Sequence, residues 1–105
     1  MPVPLIAIIV AAIAAAGLGA AIVLALLNWD RIIDWFTGRE ALVLSDKENI
    51  AFTLQEKLAN GEYHTVQGVF NKGSSKILDG ETYDSENIDE KLAEVHRNDE
   101  LVVYT

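Results

Sequence analysis

Residues 5–27 read LIAIIVAAIAAAGLGAAIVLALL, an apolar stretch of 23 residues without a charged or hydrogen-bonding side chain. As an α-helix rising about 1.5 Å per residue it would be roughly 35 Å long, enough to cross a hydrocarbon core of roughly 30 Å. The stretch is longer than the apolar core of a secretory signal, and no basic residue precedes it. It therefore predicts a retained transmembrane helix within residues 1–27.

The charged residues, 16 acidic and 8 basic, all follow this stretch and give the chain of 105 residues a net charge of −8. Such a surface repels phosphate backbones, so nucleic acid is not expected as a partner. The absence of cysteine excludes disulfides, thiolate nucleophiles and cysteine-bound metals. Arg31 and Arg39 follow the span and no basic residue precedes it, which predicts a single-pass topology with the C-terminal domain in the cytoplasm.

Residues 28–39 predict a juxtamembrane amphipathic helix, because apolar side chains recur there at helical spacing. The recurring residues are Trp29, Ile32, Ile33 and Phe36. Indole rings prefer the headgroup layer, so Trp29, Trp35 and Phe36 are expected at the membrane interface.

Residues 40–105 predict a small acidic α+β domain. A short strand is expected at 41–44, and the capping box Ser45-Asp46-Lys47-Glu48 predicts a helix over 46–60. Alternation over 62–70 predicts a strand that turns at 71–75 into a second one over 76–83. Asp84 or Ser85 then caps a second helix, and 101–104 form a last strand.

This β-α-β-β-α-β order resembles the split βαβ arrangement of ferredoxin-like domains. The resemblance implies an antiparallel sheet with two helices on one face. It carries no site residue, because folds of this kind host many unrelated functions.

Small residues occupy 11 of the 23 positions of the apolar stretch and predict close helix packing. On one helix they fall on two opposed sides. The first comprises Ala7, Ala11, Ala14, Ala21 and Ala25, and the second Ala12, Ala16, Gly19 and Ala20. Two such sides would contact copies of the chain or a larger membrane complex. Alternatively, a long membrane helix simply tolerates these residues.

No catalytic, cofactor-binding or metal site is predicted. The acidic stretch Asp79, Glu81, Asp84, Glu86, Asp89 and Glu90 partly matches a calcium loop, but Asp84 stands where the loop requires glycine. His64 and His96 have no ligand partner at helical or strand spacing. The sequence therefore indicates a non-enzymatic, single-span structural or interaction protein in a lipid bilayer, forming a homo-oligomer or part of a membrane complex. The alternative is a membrane-tethered sensor of a small molecule or cation.

Overall fold

The apolar stretch forms two separate elements and not one helix. In the computed structural model, which describes residues 3–104, helix α1 spans Leu5–Ala16 and strand β1 spans Ile22–Leu27. Helix α1 ends at Gly17, whose φ of 60° is the left-handed conformation common at helix ends. Gly19 in the connection also has a positive φ, 84°. The chain therefore leaves the helix at the glycines, and the β-branched Ile22 and Val23 continue as a strand.

The predicted transmembrane helix is therefore wrong. The 12 residues of α1 span about 18 Å, far short of the roughly 30 Å of a hydrocarbon core. Within residues 3–104, no helix is both long and apolar enough to cross a bilayer. The single-pass topology and the cytoplasmic placement derived from it are corrected accordingly. Residues 1, 2 and 105, at the ends of the predicted segments 1–27 and 40–105, lie outside the described part of the chain.

The remaining elements complete a mixed five-stranded sheet. They are α2 (Trp29–Thr37), α3 (Glu40–Leu44), β2 (Asn49–Lys57), β3 (Tyr63–Asn71), β4 (Lys76–Ile88), α4 (Glu90–Val95) and β5 (Leu101–Tyr104). The strand order is β1-β4-β3-β2-β5. Strand β1 pairs with β4 in parallel, and every other pairing is antiparallel. The predicted ferredoxin-like sheet, antiparallel throughout, is therefore wrong.

The predicted helix over 46–60 is wrong because its residues form a turn and the strand β2. Ser45 ends α3, and its hydroxyl donates to the carbonyl of Leu42. Asp46 accepts from the backbone N–H of Glu48 and so builds a turn, not a helix start. The predicted strand at 41–44 likewise lies in helix α3.

The hairpin between β3 and β4 forms where the alternation places it. Strand β4 is longer than predicted and runs to Ile88, so the second helix begins only after Asp89. Asp89 is the N-cap of α4: one carboxylate oxygen accepts from the N–H of Leu92, and the other accepts from the N–H of Trp29. This one side chain therefore joins the starts of α2 and α4.

Helices cover both faces of the sheet. On the first face, Ile9 and Ala12 of α1 pack on an apolar cluster that includes Phe52, Val66 and Phe70. On the second face, Ile32 of α2 and Leu92 of α4 pack around Leu27 and Tyr83. The prediction of both helices on one face is therefore also wrong.

Two glycines let the first face pack closely. Gly68 and Gly80 are paired across β3 and β4. The Phe52 ring lies over Gly68, and the Leu18 side chain lies over Gly80. These contacts seat the end of α1 and its connection on the sheet.

Candidate functional site

The small residues predicted to pack helices are distributed over three pieces of backbone. Helix α1 carries Ala7, Ala11, Ala12, Ala14 and Ala16, the connection carries Gly19, Ala20 and Ala21, and β1 carries Ala25. The two opposed sides presuppose one continuous helix, which this chain does not form. Only part of the first side stays together, since Ala7, Ala11 and Ala14 are all exposed on α1.

The outer side of α1 is an exposed surface without a polar side chain. All 12 residues of the helix are apolar, and only Ile9 and Ala12 are buried. Val10 is 49% exposed, and Ala7, Ala11 and Ala14 are exposed beside it. We call the exposed set Ala7, Val10, Ala11 and Ala14 the α1 outer face. Contiguous exposed apolar surface of this kind is typical of interaction sites.

The aromatic residues predicted for a membrane interface pack inside the domain. Trp35 is buried, and the Arg39 guanidinium lies 3.9 Å from its ring centroid. The rings of Trp29 and Phe36 lie 5.9 and 5.6 Å from that of Tyr104 on β5. These side chains therefore attach α2 to the sheet. The prediction that they lie in a headgroup layer depended on the transmembrane helix, which does not form.

A cavity of about 430 Å³ opens on the second face of the sheet. It lies between α4, the loop that follows it, and the ends of β2 and β3. Its lining comprises Gln55, Lys57, Tyr63, Ile88, Ala93, His96, Arg97, Asn98, Asp99 and Glu100. Within residues 3–104 the ion pairs are Arg39 with Asp79 and His64 with Asp84, so none of the four charged lining side chains is paired.

His96 forms the wall of this cavity nearest β2 and is held by two hydrogen bonds. Its Nδ1 lies 2.9 Å from the carbonyl oxygen of Asp99, which can only accept, so Nδ1 carries the proton. Burial lowers the pKa of His96 below its usual value of 6.5 and keeps the ring neutral at pH 7. Nε2 is then an acceptor, and the hydroxyl of Thr53 donates to it at 2.7 Å.

Tyr104 extends this hydrogen-bonded chain to the C-terminal strand. Because the Thr53 hydroxyl already donates its hydrogen bond to His96, its oxygen acts as an acceptor towards Tyr104. The Tyr104 hydroxyl therefore donates to Thr53 Oγ1 at 2.7 Å. A hydroxyl group hydrogen-bonded to an imidazole nitrogen is the arrangement in which a catalytic base activates a nucleophile. Thr53 is 0% exposed, however, so no substrate reaches its oxygen. The chain therefore ties together β2, the end of α4 and β5.

Further polar groups are buried on this same face. Gln67 donates to the backbone oxygen of Ile32 and accepts from the hydroxyl of Tyr83. Burial and the nearby Glu81 carboxylate raise the pKa of Tyr83 far above its usual range, so the hydroxyl stays a donor. Ser85 Oγ is buried without a hydrogen-bond partner among residues 3–104. The helices here therefore cover a polar sheet face.

The acidic candidates for a cation site do not converge. Asp79 pairs with Arg39 at 2.7 Å, Asp84 pairs with His64 at 2.5 Å, and Asp89 caps α4. Over the described range 3–104, no three His, Asp or Glu side chains are grouped to hold a metal ion. Along β4, Asp79 and Glu81 lie on one face of the sheet, whereas Asp84 and Glu86 lie on the other.

Comparison with known proteins adds no relative: no family model matches the chain, and no curated protein or solved structure shows significant similarity to it.

Proposed function

We propose that this chain is a non-enzymatic interaction protein that associates with a second copy of itself through the α1 outer face. The supporting observation is a helix with apolar residues on all sides, only one of which is covered by the sheet. Exposed apolar surface of this extent is unfavourable in water, and burial against another surface removes that cost.

The charge distribution permits a second copy to dock through its charge-free surface. Each chain carries a net charge of −8, and the first charged residue along it is Asp30. Two acidic copies repel each other, and the repulsion is least when charge-free surfaces meet. The same acidic balance disfavours docking on anionic lipid.

The residues of the α1 outer face suit a symmetric pair. Ala7, Ala11 and Ala14 follow one another at steps of four and three, so they form a ridge of small side chains along the helix. Small residues let two helix axes approach to the short end of the usual 8–10 Å. A two-fold arrangement would place the same ridge on both sides of the contact.

The contact should be reversible. A helix of this length presents a footprint of roughly 200 Å², far below the roughly 800 Å² per partner of standard stable interfaces. Val3, which precedes α1 and is 62% exposed, would enlarge it. We therefore expect weak, reversible association and not an obligate dimer.

Sedimentation velocity across a concentration series tests the proposal. The wild-type chain should convert from monomer to dimer, and Ala11→Glu should abolish the conversion by placing two like charges in the contact. Ala41→Glu is the matched control, because Ala41 is an equally exposed helical alanine on α3. It should associate as the wild type does. A wild-type chain that stays monomeric throughout, or an Ala11→Glu variant that still dimerises, would refute the proposal.

A further inference from the structure

We infer that the cavity beneath α4 binds a small zwitterion of the free amino-acid class. This inference does not depend on self-association, because the cavity and α1 lie on opposite faces of the sheet. The volume of about 430 Å³ lies within the usual range for small-molecule sites, about 300–1,000 Å³.

The charges around the cavity select the class of ligand. Lys57 and Arg97 contribute two cations, and Asp99 and Glu100 contribute two carboxylates. None of the four forms an ion pair within residues 3–104, so both signs are available to a ligand. An anion alone would face two carboxylates, and a cation alone would face two basic groups. A zwitterion can satisfy both pairs.

The uncharged lining specifies where the polar and apolar parts of the ligand would lie. Gln55 is 7% exposed, and its amide nitrogen donates to Thr65 Oγ1. The Gln55 amide oxygen can therefore accept a hydrogen bond from the ammonium group of the ligand. Ile88 and Ala93 supply an apolar wall, and the Tyr63 ring lies 5.7 Å from the Lys57 ammonium. An amino acid with an apolar side chain fits this division.

His96 limits what the site can do to its ligand. Both ring nitrogens are engaged, Nδ1 with the Asp99 carbonyl and Nε2 with Thr53. The ring therefore offers the ligand a surface but no free nitrogen to move a proton. The cavity is suited to binding and not to acid–base chemistry.

Titration of the ¹⁵N-labelled chain with L-phenylalanine and L-leucine, followed by NMR, tests the inference. Saturable shifts of the Gln55, Tyr63 and Arg97 amides are expected at ligand concentrations up to about 10 mM. N-acetyl-L-phenylalanine and L-phenylalanine amide each lack one charge and should bind at least about tenfold more weakly.

Two lysine variants test whether the ligand binds in this cavity. Lys57→Met should weaken binding of L-phenylalanine about tenfold, because the carboxylate loses a cationic partner. Lys91→Met is the control, since Lys91 lies on α4 but outside the cavity lining, and it should bind as the wild type does. The inference is overturned if neither amino acid produces saturable shifts. It is equally overturned if the single-charge analogues bind as tightly, or if Lys57→Met has no effect.

Discussion

Replacing Gly68 by alanine should destabilise the domain, although alanine usually stabilises a strand relative to glycine. A Cβ at Gly68 would lie 2.9 Å from the backbone oxygen of Asp79 and 3.0 Å from two ring carbons of Phe52. Overpacking of this kind costs about 1–3 kcal/mol, and the lower chain entropy of alanine offsets about 0.5–1 kcal/mol. From the middle of each range, the net loss in free energy of unfolding should be about 1 kcal/mol.

Urea unfolding followed by circular dichroism measures this loss. With a denaturant slope of about 2 kcal/mol/M, the midpoint should fall by roughly 0.5 M. The slope itself should stay unchanged, because the substitution alters packing and not the surface exposed on unfolding.

Gly38→Ala is the matched control for this measurement. Gly38 follows α2 with a φ of −67°, and the nearest atoms to an added Cβ are backbone oxygens at 3.6 and 3.7 Å. Its midpoint should stay the same or rise, since nothing obstructs the methyl group and the unfolded chain loses entropy. A Gly68→Ala variant as stable as Gly38→Ala would refute the close packing of Phe52 over β3.

Two further predictions concern the second face of the sheet. The folded protein protonates His96 less readily than the unfolded chain, so the free energy of unfolding should fall as pH drops below about 6.5. Urea midpoints at pH 7.5 and 5.5 should differ less in His96→Gln than in the wild type, and an equal difference would contradict the neutral assignment. In thermal unfolding, the wild type should be the most stable, Asp89→Asn intermediate and Asp89→Ala the least stable. The alanine variant should lose about 1–2 kcal/mol of stability. Asparagine keeps one oxygen acceptor where the carboxylate serves both α2 and α4, so an asparagine variant equal to alanine would contradict the double role.

Local signals in the sequence identified some elements correctly. The helix at Trp29–Thr37 follows from its 3.6-residue spacing, and the β3–β4 hairpin follows from alternation around an Asn, Gly and Ser turn. The last strand, Leu101–Tyr104, follows from a short run of β-branched and aromatic residues. In each case the residues that determine the element are neighbours along the chain.

The predicted transmembrane helix and the predicted helix over 46–60 are wrong for the same reason: the residues that pack on these segments come from distant parts of the chain. The spacing of Ile50, Leu54 and Leu58 fits a helix, but Ile50 and Leu54 also lie on one face of a strand. The second face of β2, which carries Thr53 and Gln55, is polar but buried, and Thr53 is hydrogen-bonded there to His96 and Tyr104. Partners from distant parts of the chain satisfy those polar groups, and no local window shows them.

The cavity was not predicted, because its lining comes from β2, β3, the end of β4, α4 and the loop after it. The only sequence signal was the pairing of His96 with Arg97 near a helix end, which the helix dipole also explains. The spacing of Ala7, Ala11 and Ala14 places them on one side of a helix, whereas their exposure depends on which side of α1 the sheet covers.

The amino-acid sequence by itself determined the charge-free N-terminal region, the acidic remainder and the apolar character of α1, because these are properties of composition and order. Only the tertiary structure decided that residues 5–27 divide between a helix and an edge strand. A run of apolar residues can be buried by lipid or by a sheet, and here Phe52, Val66 and Phe70 supply the surface on which α1 packs. That surface is assembled from residues at least 36 positions beyond the end of α1, outside the reach of any local pattern.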